Sequence, residues 1–458
     1  MFAKRVVERV CIFSILALTA LVFSKEVISL PVLDYIEGIF LVVFLITSLL
    51  LARGPSLYFS IGSLVVGHFF LFYYQMGAQT WFNGITKNLP LGILLILVPV
   101  LSIPLKIGGY LSSLNGFIGR YAGKKNIFFP FLSLFIFVFS SFTNLGGIRV
   151  SYDLIREMKL PHKFLSKVFT AGFAACVPWS PYFGSANLIL YYTDVSFSEY
   201  FIYGFTLGII VLAAGNIMFA RDPELQEEIL LSIAEAKIDC TNSPVQSTKV
   251  KILFFILFGL IVAVLAAEQL IPLSNMMLVV SLTSVVYATF WSILIKESKA
   301  FLTHIRNYSE NILQFTKEVL FFLSVGFLGV ILANTPLQYL LQKFLTIISG
   351  YSIFFLVEFI IIITLLLSSI GFHQVITITA LSLTIDPFSI GLTTVSFSLT
   401  LLAAWTVCII VSPFVPYNIL MGGLLQENSF KIGWKWNRNL GLLVTIISGF
   451  LVMLVNQL

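Results

Sequence analysis

The chain has 458 residues and a net charge of +6, and 58% of its residues are hydrophobic against 10% charged. A soluble domain carries roughly 25% charged residues, so a mean hydropathy of +1.00 excludes that class. The basic residues form no block interleaved with aromatics that would suit nucleic acid. What remains is an all-α polytopic membrane protein, because in hydrocarbon the backbone must satisfy its own hydrogen bonds.

In chain order, "MFAKRVVERVCIFSILALTALVFSKEV" has a basic start and an apolar stretch but no small-residue cleavage site, which predicts an uncleaved first span. Spans are expected at 10–24, 36–52, 56–74, 89–107, 200–220, 252–273, 276–295, 319–334 and 440–456, each near the length a bilayer demands. Two longer apolar regions, 127–192 and 351–425, are composite. The segments 108–126 and 296–318 alternate apolar with charged residues, as helices lying in the interface do. The polar stretch 221–251 reads as a linker. Cys11, Cys176, Cys240 and Cys408 lack metal-ligand spacing and read as spectators.

The halves on either side of the linker match at three landmarks. "LPLGILLILVPV" lies opposite "VLFFLSVGFLGV", the serine pair of "SSFTN" opposite that of "SSIGFH", and the Ser-Pro step of "VPWSP" opposite that of "VSPFVP", at offsets of 230, 228 and 232 residues. An internal duplication follows. The division reads as an extra N-terminal span in 1–35, a first repeat in 36–220, the cytoplasmic linker 221–251 and a second repeat in 252–458.

Lys and Arg collect on the cytoplasmic side. Lys4, Arg5 and Arg9 place the N-terminus inside, and basic residues on both flanks of 127–160 make that segment a re-entrant hairpin opening inward. The flanks of 351–384 hold almost none, so a second hairpin opens outward and the repeats are inverted. Each hairpin precedes a broken helix, 164–193 or 392–425, where proline removes a backbone donor. Eleven crossings then leave the C-terminus outside, in a multi-pass protein of the cell membrane.

Inverted repeats with interrupted helices point to a substrate site near the midplane, where hairpin tips and breaks meet. Candidates at the tips are Ser140, Ser141, Thr143, Asn144, Ser368, Ser369, Gly371 and His373. Ser180, Ser185, Asn187, Ser412 and Asn418 are candidates in the broken helices. Hydroxyls and amides offer neutral donors and acceptors, helix N-termini attract anions, and unwound carbonyls can hold a cation. His373 could pair with an anion or carry a proton; the alternative is a neutral ring that holds the tip together. Arg149 and Asp153 are four residues apart and fit a helical ion pair, although Arg149 could attract the solute and Asp153 could carry a proton in an antiporter. Glu358, within the second hairpin, is a candidate proton or cation site. His68 reads as a packed neutral imidazole.

This arrangement resembles the ion transporter superfamily of divalent anion/sodium symporters, citrate transporters and the large subunits of tripartite carboxylate transporters. The resemblance spans essentially the whole chain. It implies scaffold and transport domains moving as an elevator, and a homodimer. Family tips carry Ser-Asn-Thr; here the first tip keeps the residue types in another order and the second keeps serine alone.

The function expected is secondary transport of a small carboxylate-like anion driven by sodium or protons, with no cofactor beyond a transported sodium ion. A sodium/proton antiporter is the alternative. An intramembrane enzyme acting on a lipid-linked substrate is disfavoured by dispersed acids and the absence of a metal motif, and no phosphate-binding loop suggests a nucleotide-driven pump. The partners expected are the solute, its coupling ion and the bilayer.

Overall fold

The computed structural model describes residues 2–28, 30–110, 125–235, 247–271, 273 and 275–458. Among these the chain is helical throughout, in the order α1 (Phe2–Val27), α2 (Pro31–Leu51), α3 (Pro55–Tyr73), α4 (Ala78–Thr86), α5 (Leu89–Leu97), α6 (Ser102–Ile107), α7 (Lys125–Thr143), α8 (Leu145–Ile155), α9 (His162–Ala174), α10 (Gly184–Thr193), α11 (Phe197–Ala220), α12 (Pro223–Glu235), α13 (Ser247–Leu270), α14 (Met276–Leu294), α15 (Ser298–Arg306) and α16 (Ser309–Ala333). There follow α17 (Leu337–Tyr351), α18 (Ile353–Ser369), α19 (Gln374–Thr384), α20 (Thr394–Val411), α21 (Pro416–Leu425), a π-helix (Lys431–Asn437) and α22 (Arg438–Val455). Among the described residues, ten segments are long and apolar enough to cross a membrane. The segment 108–126, expected in the interface, lies mostly outside the described residues, as does 236–246 of the linker.

Several expectations shift. The span placed at 89–107 begins at Ala78 and is built from α4, α5, a 3-10 turn (Val98–Leu101) and α6, because Pro99 interrupts the ladder. The amphipathic stretch 296–318 is helical in two pieces: α15 ends at Arg306, and from Ser309 onward the residues belong to the spanning helix α16. α17 was expected as a flank and is a helix of 15 residues.

The chain divides into two compact units, and both take pieces from each half of the sequence. Unit 1 comprises Met1–Ile107, Ala266–Gln342 and Thr379–Ile385; unit 2 comprises Gly108–Leu265, Lys343–Ile378 and Asp386–Leu458.

In unit 1, α16 packs against α2, α3, α4 and α5. Phe327 of α16 fills sockets left by Gly67 and Gly84, where an added Cβ would lie 2.6 and 3.0 Å from its ring. Small residues permit such close approach between membrane helices. His68 sits on the same ring at 4.8 Å. Its Nε2 accepts from the Trp81 indole at 3.0 Å, so Nδ1 carries the proton and donates to the Leu64 carbonyl at 2.7 Å. Buried Asn88 donates to the Phe322 carbonyl at 2.8 Å. Lys25 joins α1 to α2 through Glu37 and Asp34.

Unit 2 holds α7 to α11, α18, α20, α21 and α22. α20 packs against α10, α18 and α22, and all its residues from Val395 to Val411 are buried. A helix apolar on every side belongs in such a centre, and Ser398, Thr400 and Thr406 return their hydroxyls to carbonyls one turn back.

Candidate functional site

The site grows out of two interruptions. Between α9 and α10 the helix is open from 175 to 183, around Pro178 and Pro181; between α20 and α21 it is open from 412 to 415, with Pro413 inside and Pro416 starting α21. The residue before a proline is driven from the helical region, and Ser412 (φ −69°, ψ 128°) and Val415 (φ −74°, ψ 145°) are extended accordingly. Unwinding orphans carbonyls, which in a buried place need donors.

Side chains supply them. In the first break Ser185 donates to the Val177 carbonyl at 3.0 Å, and Asn187 donates to those of Pro181 and Phe183. In the second, Asn418 donates to Ile409 at 3.0 Å and to Ser412 at 2.8 Å. The Ser-Pro serines reach across to the hairpins. Ser180 donates to the Ser141 carbonyl; Ser412 donates to the Ser368 carbonyl at 3.0 Å and accepts from the Ser368 hydroxyl at 2.8 Å. Each hairpin tip is thus fastened to the break that follows it in sequence.

The first tip turns at Asn144, whose positive φ of 51° lets α8 run back beside α7. Its Oδ1 accepts from the Leu145 amide at 2.7 Å. Ser141 and Thr143 return their hydroxyls to the Val138 and Phe139 carbonyls. Ser140 is buried and its hydroxyl has no hydrogen-bond partner among the described residues. At 11 residues each, α8 and α19 rise about 17 Å, too little for either to cross a hydrocarbon core of about 30 Å alone.

The second tip differs. Gly371 takes φ 104°, a backbone conformation open to glycine. His373 is the cap of α19: its Nδ1 accepts from the Val375 amide at 3.3 Å. In this contact the ring accepts from an amide, where the neutral-ring alternative had it donating to a carbonyl. Among the described residues, the Ser369 hydroxyl, the Oε1 of buried Gln374 and the Oδ1 of Asn418 have no hydrogen-bond partner.

Gln374 was missed in the sequence; an amide in the apolar run after His373 was the available signal. Tyr417 was missed as well. It stacks on Phe173 with centroids 4.7 Å apart, and its hydroxyl lies 3.0 Å from that of Thr170, so α21 is tied to α9. Cys176 and Cys408 each precede a Ser-Pro serine by four residues, and the Cys176 thiol donates to the Phe137 carbonyl on α7.

Among the charged candidates, Arg149 and Asp153 are both exposed and do not form the expected pair; Asp153 faces Arg156, three residues on, at 3.8 Å. The chain tightens into a 3-10 turn at Arg156–Met158, which brings that guanidinium within reach. Glu358 on α18 has an enclosed Oε1 without a partner among the described residues, in a niche where a Cβ at Gly449 would come within 2.6 Å of it.

At the end of unit 2 outside the spans, Lys163 and Lys167 of α9 reach Asp222 at 3.5 and 2.9 Å. Partial burial alone would raise the Asp222 carboxyl; the Lys167 and Leu225 hydrogen bonds and both lysine charges outweigh it and hold it below the usual carboxylate range. Glu427 is likewise held low by the hydrogen bond from Lys431, with His162 adding to it at 3.4 Å.

A scan of protein families finds no match to this sequence, and a search of curated proteins finds none. Among solved structures it is similar to the crystal structure of the Alcanivorax borkumensis YdaH transporter, with a TM-score of 0.54 and 14% identity, covering 87% of this chain and 98% of that one. This chain has the fold of the YdaH transporter. At this identity the likeness to YdaH is one of architecture.

Proposed function

We propose that the chain is a secondary active transporter of a small carboxylate-like organic anion, coupled to a sodium or proton gradient by elevator-type alternating access. The observation that carries this reading is the pairing of each hairpin tip with a helix break, Ser141 with Ser180 and Ser368 with Ser412. Unpaired oxygens on Ser140, Ser369, Gln374 and Asn418 accompany these pairs. Unpaired polar groups inside a protein are costly, and a solute with its coupling ion would give them partners. The fold shared with the YdaH transporter supports the reading. So does the gathering of both hairpins' long arms and both breaks into one compact unit.

In this reading the two halves are inverted repeats, the N-terminus is cytoplasmic and the C-terminus extracytoplasmic, and the protein assembles as a homodimer in the cell membrane. A second reading, a sodium/proton antiporter, rests on Glu358 and its unpaired Oε1.

The test is ligand-dependent thermal stabilisation of the purified protein with mono-, di- and tricarboxylates, each in sodium and in choline buffer at two pH values. Binding to the folded state raises apparent stability by mass action. A shift for one anion class that depends on sodium or pH supports the symporter; a shift with sodium alone moves the reading to the antiporter. Silence from every anion and cation would sink both.

A further inference from the structure

The π-helix between α21 and α22 has a function to account for. Its hydrogen bonds close over five residues, a rare geometry that clusters at functional sites. One face is locked into unit 2: a Cβ on Gly433 would lie 2.1 Å from the Val411 carbonyl, and buried Asn437 donates to the Ser166 hydroxyl at 2.9 Å. The rest of the turn presents an aromatic and basic surface. Phe430 and Trp434 stack with centroids 6.4 Å apart, and Phe430 is 57% exposed. Lys431 lies over the ring of Trp436 at 4.9 Å, two residues that the wide turn brings to one side.

Charge on this surface is unbalanced. Glu427 is engaged by Lys431 at 2.8 Å, whereas Lys435 and Arg438 are exposed and form no ion pair among the described residues. The segment also opens the span Lys431–Val455, so these residues stand where hydrocarbon gives way to headgroups. Aromatic rings settle at that level, and basic side chains there attract anionic lipid.

We propose that this face binds the headgroup of an anionic phospholipid. The phosphate sits between Lys435 and Arg438, where a guanidinium can donate two parallel hydrogen bonds, and the glycerol and upper acyl chain lie against Phe430 and Trp434. The site stands whatever solute the protein carries.

Full-length protein in detergent is titrated with phosphatidylglycerol, phosphatidylcholine or inorganic phosphate, with bound lipids counted by native mass spectrometry and stability followed by thermal melting. Phosphatidylglycerol is retained and stabilises; phosphatidylcholine does neither. K435Q and R438Q each weaken retention by about 5-fold, the effect of one basic residue at an anionic surface. Equal retention of the two lipids by the unaltered protein, or undiminished retention in the double variant, overturns the site. Equal stabilisation by inorganic phosphate overturns the lipid as its ligand. Should the variants fail to fold, the comparison of the two lipids on the unaltered protein still decides.

Discussion

Ser412 illustrates what a single side chain does at a break. Its hydroxyl donates to the Ser368 carbonyl and accepts from the Ser368 hydroxyl, so Ser412→Ala leaves a buried carbonyl with only the long backbone contacts of its own turn and strips a buried hydroxyl of its acceptor. The expected cost is about 1–3 kcal/mol, read as a lowered melting temperature; an unchanged one would mean the tip is not held there. His373→Ala removes the cap of α19 at about 1 kcal/mol, while the pH dependence of anion-induced stabilisation stays as it was. A lost pH dependence would restore His373 as a proton carrier. The residue types at these positions were legible in the sequence, but their partners were not. Ser180, Ser185, Asn187 and Ser412 were nominated for a ligand as polar groups in apolar helices; the structure engages the donors of Ser185 and Asn187 with carbonyls of the proline break, and those of Ser180 and Ser412 with carbonyls on the hairpins. Which hydroxyl has a partner is decided by a neighbouring element, as with Ser368, which reaches Ser412, and Ser369, which finds no partner among the described residues, and periodicity within one segment carries no record of it.

At the scale of elements, proline made the breaks legible to within a few residues, because it acts on its own backbone wherever the chain goes. The helix α17 and the π-helix follow from packing, and nothing local in "FKIGWKWNRN" marks a change of helical period. The π-helix supplies its own test. A Cβ at Gly433 would meet the backbone carbonyl of Val411, the residue just before the second break, and backbone cannot move aside as a flexible side chain can. Gly433→Ala therefore costs about 1–3 kcal/mol as an overpacked site does, and it loosens the second break from α22. Gly423→Ala, in α21 with open space around it, is the control; if both variants melt alike, the π-helix does not brace the break.

Across the whole molecule, the halves of the sequence meet inside unit 2. Asp222 fastens the start of α9 to the junction of α11 and α12. Its carboxyl is held below the ordinary value of 3.8 in the folded protein, so it contributes stability above that value, and the contribution is lost as the pH falls through the lower folded one. Asp222→Asn should cost about 1 kcal/mol at neutral pH and nothing in strong acid, as a pH series of melting curves would show; a penalty independent of pH would assign the effect to packing.

The ties between halves make a larger claim. Thr170 with Tyr417, Ser166 with Asn437, and Thr193 with Ser398 each join a helix of the first half to one of the second. If the two broken helices travel as one body in the proposed elevator, a covalent bond between them is harmless. Thr193 and Ser398 are both buried with their hydroxyl oxygens 2.8 Å apart, a separation that brings the β-carbons near the range a disulfide requires. The T193C/S398C variant, oxidised and freed of uncrosslinked protein, should melt higher because the unfolded chain is constrained across a long loop. It should also keep the full anion-induced shift and, in vesicles, the full uptake. Reduction returns the starting melting temperature and leaves uptake unchanged. Uptake lost on oxidation and regained on reduction, with binding intact, would show that the broken helices must slide against each other, and the moving body would then be smaller than unit 2.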